Sequence, residues 1–412
     1  MKIAIVGSGI SALSAAYFLK DHHEISIFEK ESRAGGHSNT FTVDDESGPL
    51  NIDTGFIVHN DVTYPLLVQL FSDLGVDRVD SNMSFSVFNQ KTNLQFHGSS
   101  LGGLFSQRKR LFSPSYFRFL LEINRFNKLA PLHLEQGLAS DPLEEYLSKF
   151  GFSSTMRDNF IIPMGSAVWS TPIEDMLRFP AKTLISFFKN HGFLGLDTQY
   201  QWKTIPGGVK NYVDKLLNSI PHLLHLKEAV LSVEELEDKC RLQTVSADYT
   251  FDKVIIAAHA PDALKMLKRP TELQETFLSK FQYVKNRATL HTDESIMPPL
   301  KRIWSAWNFK KNANKTATVY WMNRLQPLDT KQNYFVSINE FQPIDPQKIV
   351  YEIDYEHPLF DQAAIEAQEK INEVNAEGNI LFAGAWQRYG FHEDGIWSAK
   401  QAVGHIKNEV LV

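Results

Sequence analysis

The sequence predicts an α/β chain in which a Rossmann-like dinucleotide-binding domain is interleaved with an α+β substrate-binding domain. Residues Met1 to Lys30 read as strand, glycine-rich turn, helix and strand. Short apolar runs of buried-strand character return late, at Val254-Ile-Ile-Ala-Ala258 and Asn379-Ile-Leu-Phe-Ala-Gly384. Between them the chain changes character, with helical spacing and a high density of aromatic residues.

The first strand is Lys2-Ile-Ala-Ile-Val6, an apolar run of the composition found in parallel strands buried on both faces. It stops at Gly7-Ser-Gly-Ile-Ser-Ala12, which fits G-x-G-x-x-G/A. Gly7 permits the tight turn, Gly9 lets backbone approach a pyrophosphate, and Ala12 keeps the helix close to the sheet. The helix from Ile10 to Lys20, with Ser11 in its first turn, presents free N–H groups and a positive dipole end to phosphate. The second strand, Glu24-Ile-Ser-Ile-Phe28, ends at Glu29, placed where a carboxylate accepts both ribose hydroxyls of an adenine dinucleotide, with Lys30 beside it. Strand, turn, helix and carboxylate agree on a dinucleotide site.

Arg33-Ala-Gly-Gly-His37 follows. Gly35 and Gly36 allow close passage against a ligand, and Arg33 and His37 flank them as candidate phosphate or cofactor partners. In Asn51-Ile-Asp-Thr-Gly-Phe56, the Thr54-Gly55-Phe56 step suits backbone lying against a flat ring, and equally suits an ordinary turn.

The chain has 412 residues and a net charge of −6, which gives no support to nucleic-acid binding. Its 29 phenylalanines call for a large core or an apolar ligand cavity. Cys240, the single cysteine, excludes an internal disulfide, a cysteine-based metal site and a Cys-x-x-Cys pair. No apolar run reaches the roughly 18 residues of a spanning helix, and the chain opens directly on a strand, so a cytoplasmic protein is expected.

Gly7-x-Gly9-x-x-Ala12, Glu29, Gly35-Gly36 and Phe382-Ala-Gly384 together resemble the flavin-dependent amine oxidase and carotenoid desaturase superfamily. Asp53-Thr-Gly-Phe-Ile-Val58, Asn82-Met-Ser-Phe-Ser86, Pro163-Met-Gly-Ser-Ala-Val-Trp-Ser-Thr-Pro172 and Tyr389-Gly-Phe-His-Glu-Asp-Gly395 narrow the likeness. They resemble a bacterial branch of FAD-binding oxidoreductases, similar also to the domain in front of plant cyclopropane fatty acid synthases. The resemblance covers nearly the whole chain and implies a two-dinucleotide-binding-domain flavoprotein with FAD as cofactor. It departs at two positions. The superfamily commonly has arginine after the double glycine and a carboxylate after the late Ala-Gly, where this chain has His37 and Ala385. Those ion-pair contacts to the flavin nucleotide do not carry over.

The resemblance also places the later segments. Thr204-Ile-Pro-Gly-Gly-Val209 leads back into the cofactor domain, and Leu226–Ser232 is similar to the strand whose backbone meets adenine, through Val230. Ala257, Gly384 and Ala385 follow the late strands as further cofactor contacts. The expected domains are 1–58, 204–264 and 372–412 for FAD, and 59–203 with 265–371 for substrate. Strands are expected at Ala288–His291, Thr318–Met322 and Tyr334–Ile338. A helix is expected from Asp394 to Asn408, capped by Asp394, with the N–H groups of Gly395 and Ile396 facing the flavin and stabilising charge on its reduction. Trp386, Tyr389 and His392 are the candidate catalytic residues on the substrate side; His392 is equally suited to a hydrogen-bonded structural role.

A single dinucleotide fingerprint favours FAD held throughout turnover over an exchanging nicotinamide, and Cys240 lies far in sequence from every flavin segment, so the cofactor is expected to be non-covalent. No spacing suggests a metal site or a nucleophilic triad. The substrate is expected to be an apolar small molecule or lipid, in keeping with the desaturases and the fatty acid isomerase of this superfamily. Three readings stay open: an enzyme that oxidises, desaturates or isomerises a fatty acyl chain, an amine oxidase, and a catalytically silent flavin-binding partner of a lipid-modifying methyltransferase. Residues 107–128 mix Arg108, Lys109, Arg110, Arg118, Arg125 and Lys128 with large aromatics. Such a stretch suits peripheral contact with an anionic membrane, or a solvated helix whose aromatics join the core.

Overall fold

The structure is a computed structural model that describes residues 1–195, 198–313 and 315–410. Strand β1 (Lys2–Val6), helix α1 (Ile10–Leu19) and strand β2 (Glu24–Phe28) form the predicted unit. Ile3 and Ile5 pair in parallel with Ile25 and Ile27, and all four are buried. Such two-sided burial is why both strands are apolar without alternation.

The parallel sheet has five strands in the order His222–His225, β2, β1, Lys253–Ile256, Ile380–Phe382. Its strands thus come from three widely separated stretches of chain. Helix α1 covers one face with Ala12, Ala15 and Ala16, all fully buried. The helix His392–Val410 packs against α1, and a Cβ on Gly395 would lie 2.6 Å from Ile10 Cγ2. Small residues on both helices allow that approach.

A second, seven-stranded sheet runs in the order Ile349–Leu359, Gln282–His291, Phe335–Ile338, Thr316–Trp321, Trp307–Lys311, Phe85–Asn89, Leu94–His97. It is antiparallel except where Trp307–Lys311 pairs with Phe85–Asn89. The expected strands at 288–291, 318–322 and 334–338 lie in it, except that Met322 begins a short helix and Tyr334 precedes its strand. The pair at 85–97 was not expected: helical spacing dominates residues 59–200, and these strands become visible through tertiary packing, with Val87 and Phe96 buried beside Phe309. One apolar core joins α1 and the parallel sheet to Ala288, Leu290, Val336 and Tyr355 of the large sheet. A second core, rich in phenylalanine, fills the helical region from Pro114 to Asn190.

The expected strand over Leu226–Ser232 is corrected. His222–His225 is the strand that joins β2, the chain then turns through Lys227 at φ 57°, and an antiparallel strand begins at Val230. Among the described residues, no helix is long and apolar enough to cross a membrane.

Candidate FAD and substrate site

The C-terminal ends of β1, β2, Lys253–Ile256 and Ile380–Phe382 open on one cavity of about 1620 Å³. That exceeds the roughly 300–1,000 Å³ of a site for one small ligand, so it has room for a dinucleotide and a substrate together.

At the end of β1, Gly7 has φ +100°, and a Cβ there would sit 2.7 Å from the Ala257 carbonyl oxygen. Glycine is obligatory on both counts. Gly9 caps α1 without a side-chain bond, and a Cβ on it would meet nothing within 4 Å. Open space therefore lies in front of the unsatisfied N–H groups of the helix, as an anion requires. Ser11 lines this space and Ala12 is buried behind it. The double glycine folds over the same loop, since a Cβ on Gly36 would lie 3.1 Å from Gly9 Cα. Gly35 donates its N–H to the Ser8 carbonyl at 2.9 Å.

Glu29 is buried at the end of β2. Its Oε2 accepts from Ser8 Oγ at 2.5 Å and its Oε1 from the Glu31 N–H at 2.9 Å. Each oxygen keeps acceptor capacity for a ribose hydroxyl. Lys30, Val230 and Ala257 complete this end of the wall. Arg33 is also on the wall, but its guanidinium donates to the carbonyls of Ala34, Gly36 and Ser38, so it braces the glycine loop instead of reaching for phosphate.

His37 stacks on Tyr355 with ring centroids 4.9 Å apart. Burial, then His357 and His259, hold its imidazole well below the ordinary histidine range, and its buried Nε2 has no hydrogen-bond partner. The residues present thus fit a flavin dinucleotide: an open space at an uncapped helix end, a fixed carboxylate and an orphaned donor or acceptor on the wall.

At the far side of the glycine loop, Gly55 is fixed by close approach, because a Cβ there would lie 2.1 Å from the His37 carbonyl oxygen. Gly55 and Phe56 line the cavity, as do Gly384 and Ala385. Thr54 does not; its hydroxyl bonds Asn39 and the Tyr355 hydroxyl, and so fixes the ring behind His37.

The expectations for residues 392–396 are corrected. The helix starts at His392, two residues before the expected cap. Asp394 sits inside the first turn and its Oδ2 accepts from the Phe391 N–H at 3.0 Å, reaching back over the helix start. Gly395 donates its N–H to the Phe391 carbonyl, so it is not free for a flavin. Ile396 is buried in the core with α1. By position the first-turn N–H groups of His392, Glu393 and Asp394 are the ones without an intrahelical acceptor.

His392 lines the cavity, yet its Nε2 lies 2.8 Å from Ser38 Oγ and 3.1 Å from the Tyr212 hydroxyl, and its ring stacks under Phe56 at 3.6 Å. Burial depresses its pKa to about 3. Its contacts are those of a structural histidine that aims Phe56. Trp386 donates Nε1–H to the Ala258 carbonyl and packs on Phe277 and Phe281, which makes it a core residue that also lines the cavity. Tyr389 alone of the three catalytic candidates stands on the aromatic wall, with its carbonyl held by Trp169 Nε1.

That wall is the arm of the cavity beyond Phe56. Phe391 stacks on Phe187 at 5.0 Å, Phe187 lies 4.7 Å from Trp169, and the wall continues to Phe160, Leu120 and Leu104. Of the described residues between Phe85 and Trp202 that line the cavity, none is charged. Sequence reasoning missed this arm, whose parts come from several helices; only the phenylalanine content hinted at it. It also missed Glu393, whose carboxylate accepts from the N–H groups of Leu66 and Leu67 and caps the helix Pro65–Asp73. Among the described residues, His259, Asp262 and Glu356 bring donor atoms within 4.8 Å of one another on the polar rim, a grouping that no spacing in the sequence foreshadowed.

Residues 10–310 match the family described as flavin containing amine oxidoreductase. Solved structures with the same fold include cyclohexylamine oxidase from Brevibacterium oxydans IH-35A, at 14% identity and TM-score 0.69 over 100% of this chain and 99% of that one. They also include putrescine oxidase bound to putrescine, at 14% identity and TM-score 0.69 over 99% of both chains. The conjugated-linoleic-acid (CLA)-producing fatty acid isomerase from P. acnes matches at 13% identity and TM-score 0.69, over 98% of this chain and 97% of that one. A search of curated proteins gave no match.

Proposed function

The chain belongs to the flavin containing amine oxidoreductase family, and from that premise we propose an FAD-dependent oxidoreductase that oxidises, desaturates or isomerises an unsaturated or modified fatty acyl chain. One observation carries the choice of substrate: the long arm of the cavity is aromatic and uncharged along its helical walls. An acyl chain fills such an arm with apolar contact at about 25 cal/mol per Å² buried, whereas a diamine would leave a charged end in it without a partner. A fatty acid isomerase shares the fold, as do oxidases of amines.

FAD, when bound there, would supply acceptance of a hydride equivalent. The chain's residues do the rest. Gly7, Gly9 and Glu29 hold the nucleotide, and Phe56, braced by His392, positions one side of the ring site. Tyr389, Phe391 and Phe187 exclude water and align the substrate carbon. Oxidation or desaturation would need an external electron acceptor such as oxygen, a quinone or another carrier, and isomerisation would need none. A non-covalent flavin is part of this reading: Cys240 lies in an antiparallel strand away from the cavity, with Sγ 3.6 Å from the Asn379 carbonyl oxygen, which argues against a cysteinyl link, and a histidyl link through His37 or His392 has no positive support.

Anaerobic mixing of the yellow holoprotein with linoleate, and separately with putrescine, tests this. Bleaching by linoleate, or a shifted double bond without net bleaching, is expected. Bleaching by the amine alone transfers the protein to the amine oxidases, and no spectral or product change with either probe overturns the reading in favour of a silent flavin module.

A further inference from the structure

The cavity's arm ends beneath a surface of unusual chemistry. Between Leu101 and Leu121 the chain forms a short helix Leu101–Leu104, a 3-10 turn Arg108–Phe112 and the first turns of the helix Pro114–Glu135. This tip is well braced. Ser113 caps the long helix, Tyr116 donates its hydroxyl to the Leu104 carbonyl, and Phe105 packs on Tyr116 and Phe117. Yet its outer side is apolar: Phe112 is 88% exposed, Leu101 75% and Leu121 68%, with Leu111 and Phe117 also exposed. Five of the thirteen large apolar side chains exposed among the described residues are gathered here. Scattered exposed apolar residues are ordinary, but a gathered set on a braced element marks a docking face.

The charge around it is of one sign. From Ser81 to Leu121 the chain has no acidic residue, although the protein as a whole carries −6. Arg108 and Lys109 are exposed on the turn, and Arg118 is exposed beside Phe117 and Leu121. Glu122, the first carboxylate after the tip, is engaged by Ser153.

The same elements border the cavity. Leu104 lines it from the short helix, and Leu120, Ile123 and Asn124 line it from the long one, with Asn124 itself exposed to solvent. One face of the helix therefore looks into the arm while the adjoining face, with Phe117, Arg118 and Leu121, looks outward.

We propose that the tip Leu101–Leu121 docks on an anionic lipid bilayer, with Phe112, Leu121 and Leu101 among the acyl chains and Arg108, Lys109 and Arg118 at the headgroups, so that the mouth beside Asn124 receives an acyl chain directly from the bilayer. The docking face stands on its own observations; the transfer of an acyl chain rests on the substrate reading above. An amphipathic, basic element of this kind gains from both apolar insertion and headgroup attraction.

The test is sedimentation of the full-length holoprotein with vesicles of phosphatidylglycerol and phosphatidylcholine, against vesicles of phosphatidylcholine alone, at low and at physiological salt. Wild type is expected to pellet with the anionic vesicles and to lose binding as salt screens the headgroups. Arg108→Ser, Lys109→Ser and Arg118→Ser combined should weaken binding about a hundredfold. Phe112→Ser with Leu121→Ser should weaken it at least about tenfold, with yellow colour and melting temperature unchanged in both variants. Wild type that stays in the supernatant with anionic vesicles at low salt overturns the proposal, and so does a triple variant that binds like wild type. A dimer of wild type that the Phe112→Ser, Leu121→Ser variant loses makes the face a contact between copies of the chain and equally overturns it. A protein that ignores vesicles but still turns over dispersed linoleate loses only the docking role; one that binds vesicles but fails with linoleate loses only the substrate reading.

Discussion

Valine at position 9 separates the nucleotide site from the fold that carries it. Gly9 has φ −72° and ψ −179°, extended backbone that a β-branched residue adopts without strain. Its Cβ direction is empty to 4 Å. The cost to the fold is the exchange of glycine for valine as a helix cap, about 1 kcal/mol. The cost to the ligand is larger, because the isopropyl group fills the space through which a pyrophosphate reaches the first N–H groups of α1. Losing two charge-assisted hydrogen bonds removes about 3 to 6 kcal/mol, which weakens binding about a hundredfold to ten-thousandfold. Gly7→Val is the contrasting change: φ is +100° and the new Cβ would press on the Ala257 carbonyl at 2.7 Å, so the fold itself should fail. The ratio of visible flavin to protein absorbance, with a thermal melt of each variant, reads both effects. A Gly9→Val protein that melts normally and is colourless supports the argument; one that purifies with full flavin refutes the placement of the dinucleotide.

Glu29→Ala should also purify largely as apoprotein, through the loss of two ribose hydrogen bonds at about 1.5 to 3 kcal/mol each, and full flavin occupancy in that variant counts against the ribose role. Asp394 offers a test by pH. Burial, opposed by the Phe391 N–H and Arg388, pushes its carboxyl up to about 7 from an ordinary 3.8. The folded state therefore keeps a proton that the unfolded chain has already lost, and the stability this gives is complete below 3.8 and is lost as pH rises through about 7. Asp394→Asn has no such proton, so urea titrations should show it gaining stability relative to wild type between about pH 5 and about pH 7, by up to about 1.4 kcal/mol per unit. A constant difference across that range would sink the assignment.

The strand–turn–helix–strand unit at the start of the chain was legible because its determinants are local. Gly7, Gly9 and Glu29 lie within that one unit, and the bounds of β1, α1 and β2 follow from apolar runs and a glycine turn. Residues 389–396 were less legible. Asp394 has the residue type of a helix cap, but here it reaches back from the first turn to Phe391, and what places the start at His392 is the packing of Phe391 on Phe187 and of His392 under Phe56. Trp386 reads as a substrate wall by its neighbours in sequence, yet Phe277 and Phe281, distant in sequence, draw it into the core. The aromatic arm could not be assembled from one dimension, since Trp169, Phe187 and Phe391 meet only after the helices pack.

The strand order of the parallel sheet has a consequence in time. β1 has its neighbours at Glu24–Phe28 and Lys253–Ile256, and the outer strand of that side is Ile380–Phe382. The apolar face of α1 is covered only when the helix His392–Val410 arrives. At about 5 to 20 residues per second, a ribosome needs about 20 to 80 s to pass from the glycine turn to that helix. For that interval the earliest-made part of the protein waits with Ile3, Ile5 and Ala15 unsheltered, so the nascent chain is exposed to chaperones and to aggregation for nearly its whole synthesis. Chains interrupted before Ile380 can never close the sheet, and they should be found among insoluble or degraded products instead of as small flavin-binding fragments.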